Sequence, residues 1–72
     1  MRKACVELIS TLNTAYLLSG DLGGGKCLHV VQFRTEKPSV RDWQSALDDC
    51  LKKAEELKYE VSRIRGKDLI KP

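Results

Sequence analysis

Residues 39–65 read SVRDWQSALDDCLKKAEELKYEVSRIR, and the length of helix they hold governs the rest of the architecture. Ser39 follows Pro38, and Asp42 stands three residues on, a capping-box-like start with Asp in place of the usual Glu or Gln. Apolar residues then fall at Val40, Trp43, Leu47, Cys50, Ala54, Leu57, Val61 and Ile64, with gaps alternating between three and four. That is helical spacing. Acids gather at the front (Asp42, Asp48, Asp49, Glu55, Glu56) and bases at the back (Lys58, Arg63, Arg65, Lys67), as the helix dipole favours. Gly66 supplies a natural stop. The pattern predicts one C-terminal helix over about 39–65, roughly 40 Å long at 1.5 Å per residue.

Upstream, residues 27–34 (CLHVVQFR) are short, partly β-branched and aromatic, and bounded by Gly25 and Pro38. They read as a strand. A strand needs a hydrogen-bonding partner, and the nearest is 14–19 (TAYLLS), joined to it through the seven residues Gly20 to Lys26. The first dozen residues fit two patterns. As a helix, Ala4, Cys5, Leu8, Ile9 and Leu12 share a face. As a strand over about 4–10, Val6 and Leu8 alternate with Glu7 and Ile9, and the Thr and Asn content favours this reading. The expected fold class is therefore α+β: a small antiparallel meander or hairpin packed by one long helix. The alternative is α-β-α, with the lone strand pairing across a dimer.

The chain has 72 residues, 13 Lys and Arg against 10 Asp and Glu, and a net charge of +3. At 42% apolar and 32% charged it has globular rather than disordered composition. The expectation is one small domain over 1–72, with 66–72 as a flexible basic tail. It is too short for a large enzyme fold such as a TIM barrel of about 250 residues. No apolar run approaches the roughly 20 residues of a membrane helix. Met1-Arg2-Lys3 resembles a signal-peptide start, but Glu7 and Asn13 interrupt the apolar stretch after it. Cys5, Cys27 and Cys50 are odd in number and widely spaced. They suit reduced thiols better than a disulfide scaffold, and a cytoplasmic protein is expected.

A helix of about 40 Å overhangs a globule of this size, whose diameter is roughly 29 Å. Val61 and Ile64 continue the apolar stripe onto the overhang, and Leu69 and Ile70 follow. Apolar surface on a projecting end is normally covered by another chain. These four residues are the expected dimer or partner contacts.

The string Gly20-Asp21-Leu22-Gly23-Gly24-Gly25-Lys26-Cys27 fits the spacing G-x-x-x-x-G-K, with Cys27 where Ser or Thr belongs. Over about eight residues it resembles the phosphate loop of the bacterial tRNA-threonylcarbamoyladenosine ATPase family. That resemblance implies a nucleotide site whose Ser or Thr holds Mg²⁺, a duty a thiol performs poorly. A phosphate loop also opens a helix, whereas Leu28 to Phe33 read as a strand. The bland expectation is a Gly-rich hairpin loop, at most an anion site built on Gly23, Gly24, Gly25 and Lys26. Cys27-x-His29 lacks the paired close spacing of zinc sites. No catalytic set, metal or cofactor is expected.

From Lys58 to Pro72 five bases face two acids. Lys58, Arg63, Arg65 and Lys67 are the expected contacts for an anionic partner. The functional expectation is a non-catalytic interaction protein (adaptor, regulator or inhibitor) that self-associates through its helix and binds another macromolecule. The alternative is a nucleic-acid binder using the basic end, for which one nearby aromatic, Tyr59, is a thin stacking platform.

Overall fold

The computed structural model describes residues 1–22 and 24–71. A four-stranded mixed sheet packs one helix on a single face. The strands are β1 (Arg2–Ile9), β2 (Thr14–Ser19), β3 (Cys27–Gln32) and β4 (Tyr59–Arg65), and the helix is α1 (Val40–Glu56). The sheet order is β3-β2-β1-β4, with β1 antiparallel to β2 but parallel to β4. Single 3-10 turns follow β1 (Ser10–Leu12) and β4 (Lys67–Ile70).

The α+β class and the antiparallel meander are present, with strands β1 and β2, separated by the 3-10 turn at Ser10–Leu12, where the alternative placed a helix over 2–18. Asn13, in the left-handed region at φ 49°, turns the chain between β1 and β2. Its side-chain amide donates to the carbonyls of Thr35 and Glu36, 3.0 and 3.3 Å away. The start of α1 is as expected. Ser39 accepts from the Asp42 backbone N–H, and the Asp42 carboxylate accepts from the Ser39 N–H, closing a capping box.

The end of the helix is not as expected. The predicted helix over 39–65 stops at Glu56, and 59–65 is a fourth strand. The helix is thus central in the chain rather than C-terminal, and the sheet is mixed rather than a pure meander. Lys58 takes φ 67°, a left-handed residue where sequence offers no glycine. The helical spacing of Val61 and Ile64 has a different origin. Ala4 pairs with Val61 and Cys5 with Arg63, so Ser62 is an extra residue in the ladder. A bulge of this kind puts two inward-facing strand residues three apart instead of two. At about 1.5 Å per residue, the 17 residues of α1 span ~25 Å, within a molecule 34 Å along its longest axis. The overhang behind the dimer expectation is absent. Residues 67–70 of the expected basic tail fold back as a turn, with Leu69 and Ile70 against the core.

The core lies between one sheet face and α1. Ala4, Val6 and Leu8 from β1 and Ala15 and Leu17 from β2 meet Trp43, Ala46, Cys50 and Ala54 of the helix. Four of these nine are alanine, so helix and sheet approach closely. Phe33 meets Trp43 edge-on, with ring centroids 5.0 Å apart. Each β-branched residue of the outer strands that fills this layer does so as a margin: Val31, Val61 and Ile64 are half-buried.

Candidate functional site

The other face of the sheet carries no helix. Strand alternation assigns to it Lys3, Cys5, Glu7 and Ile9 from β1, and Thr14, Tyr16 and Leu18 from β2. Val30 and Gln32 from β3 and Glu60, Arg63 and Arg65 from β4 join them through the ladder register. With strands about 4.8 Å apart, the four-strand face is roughly 14 Å across. Two rows run over it. Val30, Tyr16, Glu7 and Arg65 are successive cross-strand neighbours, and so are Leu18, Cys5 and Arg63.

Its two halves differ. Toward β3 the surface is apolar: Tyr16, Leu18 and Ile9 are half-buried, and Val30 is 49% exposed. Cys5 beneath them is fully buried, so longer neighbours shield it. Toward β4 the surface is charged. The Lys3 ammonium donates to the Glu60 carboxylate at 2.8 Å. This bond raises the pKa of Lys3 and lowers that of Glu60, two directions that agree. Both side chains are more than half exposed, so the pair adds little stability. It does cancel two charges. Arg63 and Arg65 are exposed and form no ion pair among the described residues, although Glu7 is the register neighbour of Arg65.

Lys58 and Lys67 stand just beyond the two ends of β4, both exposed. The four bases singled out from sequence therefore lie along one edge of the sheet. The four apolar residues do not form an exposed patch. Val61, Ile64, Leu69 and Ile70 are half-buried and pack against the core cluster, and the Ile70 carbonyl accepts from the Gln44 amide at 3.2 Å. The apolar surface that sequence reading missed is Ile9, Tyr16, Leu18 and Val30. For Tyr16 and Leu18 the signal was the run from Thr14 to Ser19, in which Ala15 and Leu17 already supply the core, while Ile9 and Val30 had no such signal.

The glycine loop joins β2 to β3 and is tied at its base. The Ser19 N–H donates to the Lys26 carbonyl, and the Lys26 N–H donates to the Ser19 hydroxyl, both at 2.9 Å. Gly24 takes φ 75°, and a Cβ on Gly25 would collide with the Ser19 carbonyl. Gly23 lies outside the described residues. The loop leads into a strand, not a helix, so it lacks the helix N-terminus that holds phosphate in a nucleotide-binding loop. Lys26 is exposed.

Among the described residues no group of three His, Cys, Asp or Glu side chains is placed to hold a metal ion. Burial pushes the Cys50 thiol up to about 11, so it stays protonated under the helix. Cys27 is exposed and donates weakly to the His29 carbonyl at 3.6 Å. A shallow depression of about 240 Å³ opens where Asn13, Lys37 and Pro38 meet Trp43 and Leu69. Trp43 and Leu69 of the core line it together with residues of the flanking connections. No helix among the described residues is long and apolar enough to cross a membrane. No protein-family model matches the chain, and neither a curated protein nor a solved structure is significantly similar to it.

Proposed function

We propose that this chain is a small, non-catalytic, cytoplasmic interaction protein whose working surface is the uncovered face of its sheet. Its partner is an acidic protein segment carrying an apolar anchor. One observation carries the reading: exposed Arg63 and Arg65 have no ion-pair partner among the described residues and stand beside the apolar patch of Tyr16, Leu18 and Val30. Arginine and tyrosine are the residue types that anchor interfaces most often. Lys58 and Lys67 extend the positive edge and would steer an acidic partner toward it.

A nucleic acid is the rival occupant of the same cations. Against it stands the aromatic content of the face, a single ring at Tyr16, where strand binders stack successive bases. The test is selection from a displayed library of random peptides, against the wild-type chain and against an Arg63→Glu, Arg65→Glu variant. Enriched peptides should be acidic with one or two large apolar residues. The double variant should lose them by at least tenfold, and backbone amide shifts should centre on Tyr16, Leu18 and Arg65. Enrichment indifferent to both arginines would refute the proposal. So would failure of any peptide to enrich, with oligonucleotide binding that weakens steeply in salt assigning the face to nucleic acid.

A further inference from the structure

Among the described residues both outer strands present an unpaired edge, and the two edges are built differently. β4 (YEVSRIR) carries Glu60, Arg63 and Arg65 and a bulge at Ser62. Charges and bulges are the usual means of keeping an edge from pairing. β3 (CLHVVQ) contains no Lys, Arg, Asp, Glu or Pro. Its irregularity lies at Leu28, toward its start, and leaves residues 29–32 in unbroken register with β2.

The direction of the backbone follows from the ladder. The Phe33 N–H donates to the Asn13 carbonyl at 2.8 Å, and antiparallel pairs alternate between bonded and non-bonded. Val31 and Ala15 are thus a bonded pair, as are His29 and Leu17, while Val30 and Gln32 turn their N–H and C=O groups away from β2. Both residues are exposed, and no hydrogen bond among the described residues reaches those groups.

We infer that the β3 edge is a self-association site, occupied by β3 of a second copy in antiparallel pairing about a twofold axis. A twofold sets a strand against itself, so charge decides which edge tolerates it. Centred on Arg63 or Ile64, β4 would oppose arginine to arginine. Centred on Val31, β3 opposes Val30 of each copy to Gln32 of the other, with no like charges across the seam. Opposed pairs of this orientation exchange two backbone bonds each, giving four. The axis is perpendicular to the sheet, so the sheet becomes eight-stranded and both uncovered faces lie on one side. This adds to the binding reading above without depending on it.

The experiment is sedimentation equilibrium of the whole chain in reductant, which prevents exposed Cys27 from making a covalent dimer. Mass should rise with concentration from 8.1 kDa toward twice that value. A Val30→Lys, Gln32→Lys variant, which puts ammonium groups against each other across the seam, should stay at the lower mass. Gln32→Pro, which removes an outward donor but no internal ladder bond, should do the same. In the wild type, hydrogen exchange at the Val30 and Gln32 amides should slow at least tenfold as concentration rises. A single-copy mass at every concentration overturns the inference. So does a doubled mass that survives both variants, or fast exchange at those two amides in the dimer. Arg63→Glu with Arg65→Glu should leave the mass behaviour unchanged, separating this site from the peptide site.

Discussion

The two faces of the sheet share the same strands and spend them differently. The helix-covered face of the two inner strands uses alanines at Ala4 and Ala15 beside Val6, Leu8 and Leu17, so that Trp43 and Cys50 can sit down on it. The uncovered face uses longer side chains, Tyr16, Leu18, Glu7 and Arg65, which shade one another without any second layer. Close packing is therefore a property of one face, and the other holds chemistry that packing does not need.

Adjacent residues of β2 give the sharpest test of that difference. Leu17 is fully buried under the helix, and Leu18 is half-buried on the uncovered side. Leu17→Ala should cost about 2–5 kcal/mol, enough to consume much of the stability of so small a domain. Leu18→Ala should cost about 1 kcal/mol or less. Chemical denaturation of the two variants measures both. Equal losses would mean that the uncovered face is also a structural layer.

Next in size is a pH effect confined to the covered face. The Cys50 thiol is held near 11 by burial, above its ordinary value of 9.0. Below pH 9 it is protonated in both folded and unfolded chains, and its contribution is fully present. As pH rises past 9 the unfolded chain ionises first, and stability falls until the folded thiol follows near 11. The loss is on the order of 2 kcal/mol. Melting curves across that window should fall steeply for the wild type and less steeply for Cys50→Ala. An alkylating reagent at neutral pH should label exposed Cys27 and leave Cys50 untouched.

The smallest expected effect lies on the uncovered face. Arg63→Glu and Arg65→Glu should each change folding stability by no more than about 0.5 kcal/mol, because neither arginine forms an ion pair among the described residues. A larger loss in denaturation would show that these cations hold the fold together instead of standing ready for a partner.

Legibility in the sequence followed the same physical lines. β2 was readable to its ends because Thr14 to Ser19 is uninterrupted and flanked by Asn13 and Gly20. The helix start was readable because Ser39 and Asp42 make a local cap. The helix end was not, because Lys58 takes a left-handed conformation that lysine rarely marks. The bulge at Ser62 completed the disguise by giving a strand the spacing of a helix. Losing β4 hid the parallel pairing, and with it the position of β1. The bases at 58–67 were visible as a charge cluster, but their alignment along a sheet edge depends on β4 being a strand. Tyr16 and Val30 were visible only as apolar residues, since no local signal says which face of a sheet a helix will cover.

The position of β1 has a consequence for how the chain is made. β1 is an inner strand, yet one of its two neighbours, β4, begins only at Tyr59. During synthesis β1, β2 and β3 all precede that neighbour and can pair before it is in place. Until then, Ala4, Cys5 and Val6, all fully buried at the end, line an open seam in the nascent chain. Such a seam invites mispairing with other chains, and long-range pairing closes it slowly. Synthesis should thus leave a vulnerable three-stranded intermediate, which the last strand retires by entering alongside the first.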